Sequence, residues 1–319
     1  MQVRRGAVIA AVAVLLAAAA IGVVVVVNKD SGTPAAECVI PAPPAGGSGD
    51  TAGAEPLTDQ EFSAAQLQNA ATISAVGIAR DLPLRARIIA IATALQESTL
   101  RNLDYGDRDS VGLFQQRPSQ GWGTVEQIMD PVYSAGKFYD ELVTVPNWRT
   151  DPLTEVAQAV QRSAFPDAYA KWEDEATVLA AAFAGTSAPE LRCRPDAAAP
   201  TAAQPTREPL SGTQNANGRL RALLAAAHAE LGAGAADVTV RSVGSAGRSA
   251  VVTFTGGGLS AGTGNRMLAA WMVAHSTGTG VQDITVDGRR YRGGSWSGPD
   301  SGNPPAGAAA RDAVTVTVG

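Results

Sequence analysis

Two cysteines, two histidines and no polybasic run leave most metal, redox and nucleic-acid chemistry without its residues in this chain of 319 amino acids. A zinc site needs three or four convergent ligands. His228 and His275 stand far apart, each in a helical pattern among alanines, and each reads as a satisfied helix histidine. There is no C-x-x-C pair and no G-x-S-x-G elbow. The 25 basic residues are scattered, and a formal charge of −5 with a pI near 5.2 excludes a nucleic-acid partner. Aromatics make up only 5% of the chain while alanine is abundant, which favours small, alanine-packed helices. The glycine-rich stretch Gly256–Gly264 lies between a predicted strand and a predicted helix, where phosphate loops occur. It lacks both Gly-Lys-Ser/Thr and G-x-G-x-x-G and reads as a connector. No metal and no cofactor are expected.

What is present begins with an unbroken apolar run, Gly6 to Val27, preceded by Arg4 and Arg5. Its length suits a helix crossing a bilayer, and the arginines place the start of the chain in the cytoplasm. A cleavable signal would be shorter and end in a small-x-small site. The run instead continues through five valines, so the reading is an uncleaved single-pass anchor, with the membrane as partner and everything after Lys29 extracytoplasmic. Ala35-Ala36-Glu37 before Cys38 does not suit lipidation. In an oxidising compartment, Cys38 and Cys193 suggest one disulfide.

Composition divides the rest. Residues 1–29 form a cytoplasmic stub and anchor, and residues 30–57 a Ser/Gly/Pro/Ala tether. Helical patterns follow at about 60–79, 84–99, 124–143, 152–164 and 167–184, with Thr58-x-x-Glu61 as a candidate capping box. Residues 58–193, where no stretch shows strand alternation, therefore read as a mainly α domain, all-α or nearly so. A second linker covers 194–217. From 218 to 319, helices at 218–231 and about 263–276 alternate with strands at 237–243, 249–255, 281–286 and 312–318, a smaller α+β domain.

The helix at 84–99 aligns Leu84, Ile88, Ile91 and Leu95 on one face, and Glu97 points nearly the opposite way close to its end. A polar stretch, Arg101 to Ser110, separates it from Val-Gly-Leu-Phe-Gln-Gln116. From spacing alone, Glu97 is either a solvated surface glutamate or a carboxylate in a cleft wall.

The segment Ala94-Leu-Gln-Glu97-Ser98-Thr-Leu100 with Gly112-Leu-Phe-Gln115 resembles the Glu-Ser … Gly-Leu-x-Gln signature of lysozyme-like soluble lytic transglycosylases and goose-type lysozymes. Asp130-Pro131 and the helix pattern reaching Tyr139 echo that family's next element. The stretch Glu97–Gly123 also resembles a group of envelope proteins in which one cysteine precedes the domain and another closes it, which supports the Cys38–Cys193 pairing. The resemblance implies a lysozyme-like fold acting on peptidoglycan glycan strands, with Glu97 as catalytic acid. It implies that Ser98 orients Glu97 or touches substrate, and that Gln115 and Gln116 offer amides to sugars. Phe114 and Trp122 are either stacking faces or core aromatics. One family element is missing. Where an Ala-Tyr-Asn-Ala-Gly turn faces the glutamate, this chain has Ala159-Val-Gln-Arg-Ser-Ala-Phe-Pro-Asp-Ala-Tyr169, leaving Arg162, Ser163 or Tyr169 as replacements. Asp104, Asp107 and Asp109 are available as a second carboxylate for hydrolysis; as a plain turn, the three would have Arg101 and Arg108 as counter-ions.

The last hundred residues resemble an envelope module related to zinc D,D-peptidase folds. Its ligand positions here are Thr253, Ala313 and Thr315, so the module is expected to be metal-free, its partner unknown. The sequence thus predicts glycan-strand cleavage. The alternative is a non-catalytic peptidoglycan-binding or scaffold protein that kept a lysozyme-like fold.

Overall fold

The computed structural model describes residues 38–42, 58–162, 167–187, 189–194, 215–232, 236–298 and 313–319. All belong to one compact unit, Ala36–Gly319. The expected anchor at Gly6–Val27 and most of both expected linkers lie outside the described residues. Among the described residues no helix is long and apolar enough to cross a membrane. The longest, with 16 residues, falls short of the roughly 20 a bilayer requires. The expected transmembrane helix and single-pass location are withdrawn on that ground, and with two antiparallel sheets among its helices the fold class is corrected to mixed α+β.

Strands β1 (Cys38–Ile40), β2 (Gln60–Phe62) and β3 (Arg192–Cys193) form a small antiparallel sheet in the order β2-β1-β3. No strand alternation marked these short strands in the sequence, and β1 falls within the expected tether. Cys38 and Cys193 face each other in register and are joined as a disulfide, as expected. The first helix, α1 (Ala64–Ala79), starts later than its pattern suggested. Its capping box is Ser63 with Gln66, because residues 60–62 pair as a strand.

Helix α2 (Leu84–Ser98) runs through the middle of this region, touching α1, α4 (Pro131–Leu142), α5 (Leu153–Gln161) and α6 (Glu173–Ala182). A helix surrounded by others is buried on several sides. Ala86, Ile89, Ala90, Ala92, Thr93 and Ala94 are accordingly buried as well as Ile91 and Leu95, while Leu84 is exposed. The single face read from the sequence is thus too narrow. Short α3 (Val125–Ile128) precedes α4, which Asp130 caps through the backbone N–H groups of Val132 and Tyr133, with Pro131 in the first turn.

The carboxyl-terminal region places α7 (Gly218–Leu231), α8 (Ala261–Ala274) and α9 (Ser276–Thr279) with a six-stranded antiparallel sheet. Its order is β4 (Asp237–Val243), β5 (Ser249–Thr255), β9 (Val314–Val318), β6 (Val281–Val286), β7 (Arg289–Arg292) and β8 (Ser295–Ser297). The β7 and β8 strands were not legible in the sequence.

This region packs on the first through small residues and backbone contacts. Gly257, at φ +58°, sits so close to Ile78 that an added Cβ would lie 2.7 Å from its carbonyl oxygen. At Gly185, φ +68°, an added Cβ would run into the backbone of Thr263. Arg266 donates to the Gly185 carbonyl at 2.7 Å, Trp296 to the Leu191 carbonyl at 3.0 Å, and the Tyr291 hydroxyl to the Cys193 carbonyl at 2.7 Å. The glycine-rich loop is thus a contact between the two regions, and the disulfide strand is held from both sides.

Candidate functional site

Glu97 is the penultimate residue of α2. The chain leaves the helix through two consecutive left-handed residues, Thr99 at φ 53° and Leu100 at φ 57°. Such a conformation is unfavourable for a leucine. Burial of Leu100 and the bonds from its own N–H to Ala94 O and from Asn69 to its carbonyl hold it there. This sharp exit turns the following loop back toward the Gly112–Gln116 turn. Ser98 fastens the turn to the helix: its buried hydroxyl bonds to the carbonyls of Ala94 at 3.1 Å and Leu113 at 2.8 Å. Ser98 is committed to backbone and builds the site from behind.

Glu97 is half-buried. The hydroxyl of buried Tyr169 donates to its Oε1 at 2.7 Å. Gln161, the last residue of α5, hydrogen-bonds Glu97 as well and sends its side-chain N–H to the Phe114 carbonyl at 2.7 Å. One amide therefore joins the acid to the Gly-Leu-Phe-Gln turn. Burial raises the pKa of Glu97 above the ordinary carboxyl value, and the bonds from Tyr169 and Gln161 offset part of that rise. Next to it, the Trp172 indole N–H donates to Gln96 Oε1 at 2.9 Å, joining the turn at Ala170–Trp172 to the end of α2.

The other residues singled out in the sequence separate into groups. Phe114 is fully buried and stacked on Phe138 at 4.8 Å, a core position. Gln116 is buried and donates to the Ser134 carbonyl at 3.1 Å. Gln115 stays half exposed at φ 48° and donates to the carbonyls of Tyr105 and Gly112. Trp122 is half-buried against the core, and its carbonyl accepts from the Tyr133 hydroxyl. Arg162 caps α5 in a left-handed conformation with an exposed side chain, and Ser163 lies outside the described residues. Of the three replacements for the missing turn, Tyr169 is the one seen bonded to Glu97. Gln161 and Trp172 were missed; nothing in local spacing marks either, since each acts across a long chain separation.

The acidic loop also divides. Asp109 accepts from the Ser119 backbone N–H at 2.8 Å and from Arg117 at 2.8 Å, which holds its carboxyl far below the usual range. Its counter-ion is Arg117, whereas Arg101 turns back to the Ser98 carbonyl and the Thr99 hydroxyl. Asp107 meets Arg108 at an exposed 3.8 Å, and Asp104 is exposed. Among the described residues no group of three or more His, Cys, Asp or Glu is placed to hold a metal ion. No protein-family model matches the sequence, and no curated protein matches it either.

Proposed function

We propose that this protein cleaves the glycan strands of peptidoglycan, with Glu97 as general acid and then general base. The observation that carries the reading is the half-buried Glu97, its pKa raised by desolvation and its carboxyl held by Tyr169 and Gln161. A neutral carboxylic acid near working pH protonates the leaving glycosidic oxygen. The substrate's own N-acetyl oxygen closes on the anomeric carbon as the bond breaks. The resulting Glu97 carboxylate then takes the proton from the C6 hydroxyl, which attacks to give a 1,6-anhydro end. This route needs one carboxylate, and Asp109, clasped by Ser119 and Arg117, is poorly suited to be a second.

Mass spectrometry of the products tests it. Full-length protein and its Glu97→Gln variant are incubated with intact peptidoglycan. Anhydro-muropeptides from the wild type alone are the expected result. Reducing ends would mean hydrolysis through a second carboxylate. No release by the wild type, with co-sedimentation of both proteins with the wall, would replace the enzyme with the binding protein.

A further inference from the structure

Tyr105 is the only exposed aromatic side chain among the described residues, at 65% exposure. A lone exposed aromatic is common on protein surfaces, but the loop beneath this one is bonded at several points. The Gln115 amide donates to the Tyr105 carbonyl at 3.3 Å. At Gly106 an added Cβ would lie 2.6 Å from the Ser110 carbonyl oxygen. Leu103 and Gly112 are bridged by a 2.6 Å backbone bond, and Asp109 clamps the far end of the loop to Arg117 and Ser119. The side chain therefore stands on a base that needs little ordering when a ligand arrives, which lowers the entropic cost of binding.

The same base belongs to the candidate site. Gln115 follows Phe114, whose carbonyl holds Gln161, which in turn holds Glu97. Tyr105 is thus connected to the acid through one continuous set of bonds, but sits outside its immediate contacts. From this we infer that Tyr105 is a substrate-binding residue of an outer subsite, stacking its ring on the C–H face of a pyranose some units along the strand from the cleaved bond. The inference rests on the glycan-cleaving reading. It assigns the half-exposed Gln115 to supporting the platform. Stacking on a fixed aromatic ring contributes through the ring face, so tryptophan serves in its place and alanine does not.

The test uses full-length protein carrying Glu97→Gln, so that bound strands stay intact. Isothermal titration calorimetry compares a long peptidoglycan glycan strand with its repeating disaccharide, with and without Tyr105→Ala. Expected is a loss of about tenfold in affinity for the long strand, with disaccharide binding and Tm unchanged, and recovery with Tyr105→Trp. Unchanged affinity for the long strand in Tyr105→Ala overturns the inference, as does equal weakening for both lengths with a lowered Tm. If the Glu97→Gln protein with Tyr105 intact binds neither ligand and the wild type cuts no peptidoglycan, the glycan reading itself falls and takes the inference with it.

Discussion

Each half of the molecule sets one glutamate against an aromatic donor, Glu230 buried and Glu97 half-buried, and the two are set up for different work. Glu230 on α7 is 7% exposed, and both of its oxygens are engaged from the end of α8. The Trp271 indole donates to Oε2 at 2.6 Å, and His275 Nε2 lies 3.2 Å from Oε1. The His275 ring stacks on Trp271 at 3.8 Å, and its Nδ1 meets the Trp271 carbonyl at 2.9 Å. Glu230 is therefore a cross-link between two helices. Glu97 has a hydroxyl and an amide as partners, drawn from a different part of the chain, and it stands at a helix end beside an exposed loop. Burial alone does not make a carboxyl reactive. What separates the two is whether the partners saturate the group within one packed layer or hold it at the edge of one.

The widest gap between them is expected in turnover. Glu97→Gln lowers glycan cleavage by about 10²–10⁴-fold, the range of a lost general acid, whereas Glu230→Gln keeps wild-type activity per folded molecule. Counting released muropeptides against folded protein measures both, and an active Glu97→Gln would erase the distinction.

In stability the order reverses. Glu230→Ala strands the Trp271 indole N–H and His275 in a buried layer and costs about 3 kcal/mol or more in urea unfolding. Between the halves, Gly257→Ala forces a side chain into a left-handed position against Ile78 and costs about 1–2 kcal/mol. Because the regions share that contact, the thermal transition should move down as one. Two separate transitions would show that they unfold independently.

Subtler effects sharpen the account of Glu97. Removing the Tyr169 hydroxyl with Tyr169→Phe deletes a bond that lowers the Glu97 pKa. The alkaline limb of the pH–rate profile should then move to higher pH, with kcat down about tenfold, equivalent to ~1.4 kcal/mol. The smallest effect is on stability against pH. A carboxyl whose folded pKa is raised contributes stability that is complete below the unfolded value and is lost as pH rises through the folded one. Glu97→Gln, which never ionises, should therefore melt above the wild type at neutral pH. The advantage should vanish below about pH 4, near the unfolded carboxyl value. A constant difference across pH would mean that Glu97 is solvated.

Much of the frame was legible because it is local. The break between the patterns at 60–79 and 84–99 is chain stiffness at Pro83 expressed over two or three residues, whereas the one at Asp130-Pro131 was missed, the pattern at 124–143 running straight through it. The valine-threonine alternation of β9 records one buried face. Short strands escaped, since Gln60–Phe62 carries no pattern long enough to outweigh a helical reading and exists only because β1 returns to pair with it. At the site, spacing alone left Glu97 open as a surface glutamate, and it stood out only through the resemblance of its neighbourhood to a family signature. Ser98, Phe114 and Gln116 kept the right order but proved to be buried parts of the frame, because sequence order does not say which side of a turn meets solvent.

The sequence by itself determined the rhythm of the longer elements, suggested the one cysteine pair, and through resemblance to a family signature pointed to the glutamate worth examining. All of these depend on residue type and near spacing. Only the tertiary structure decided that Tyr169 and Gln161 hold Glu97, that Asp109 belongs to Arg117, and that a glycine loop seals one half against the other. Those outcomes depend on contacts across long chain separations and on which groups lose water, and neither is written in a local pattern.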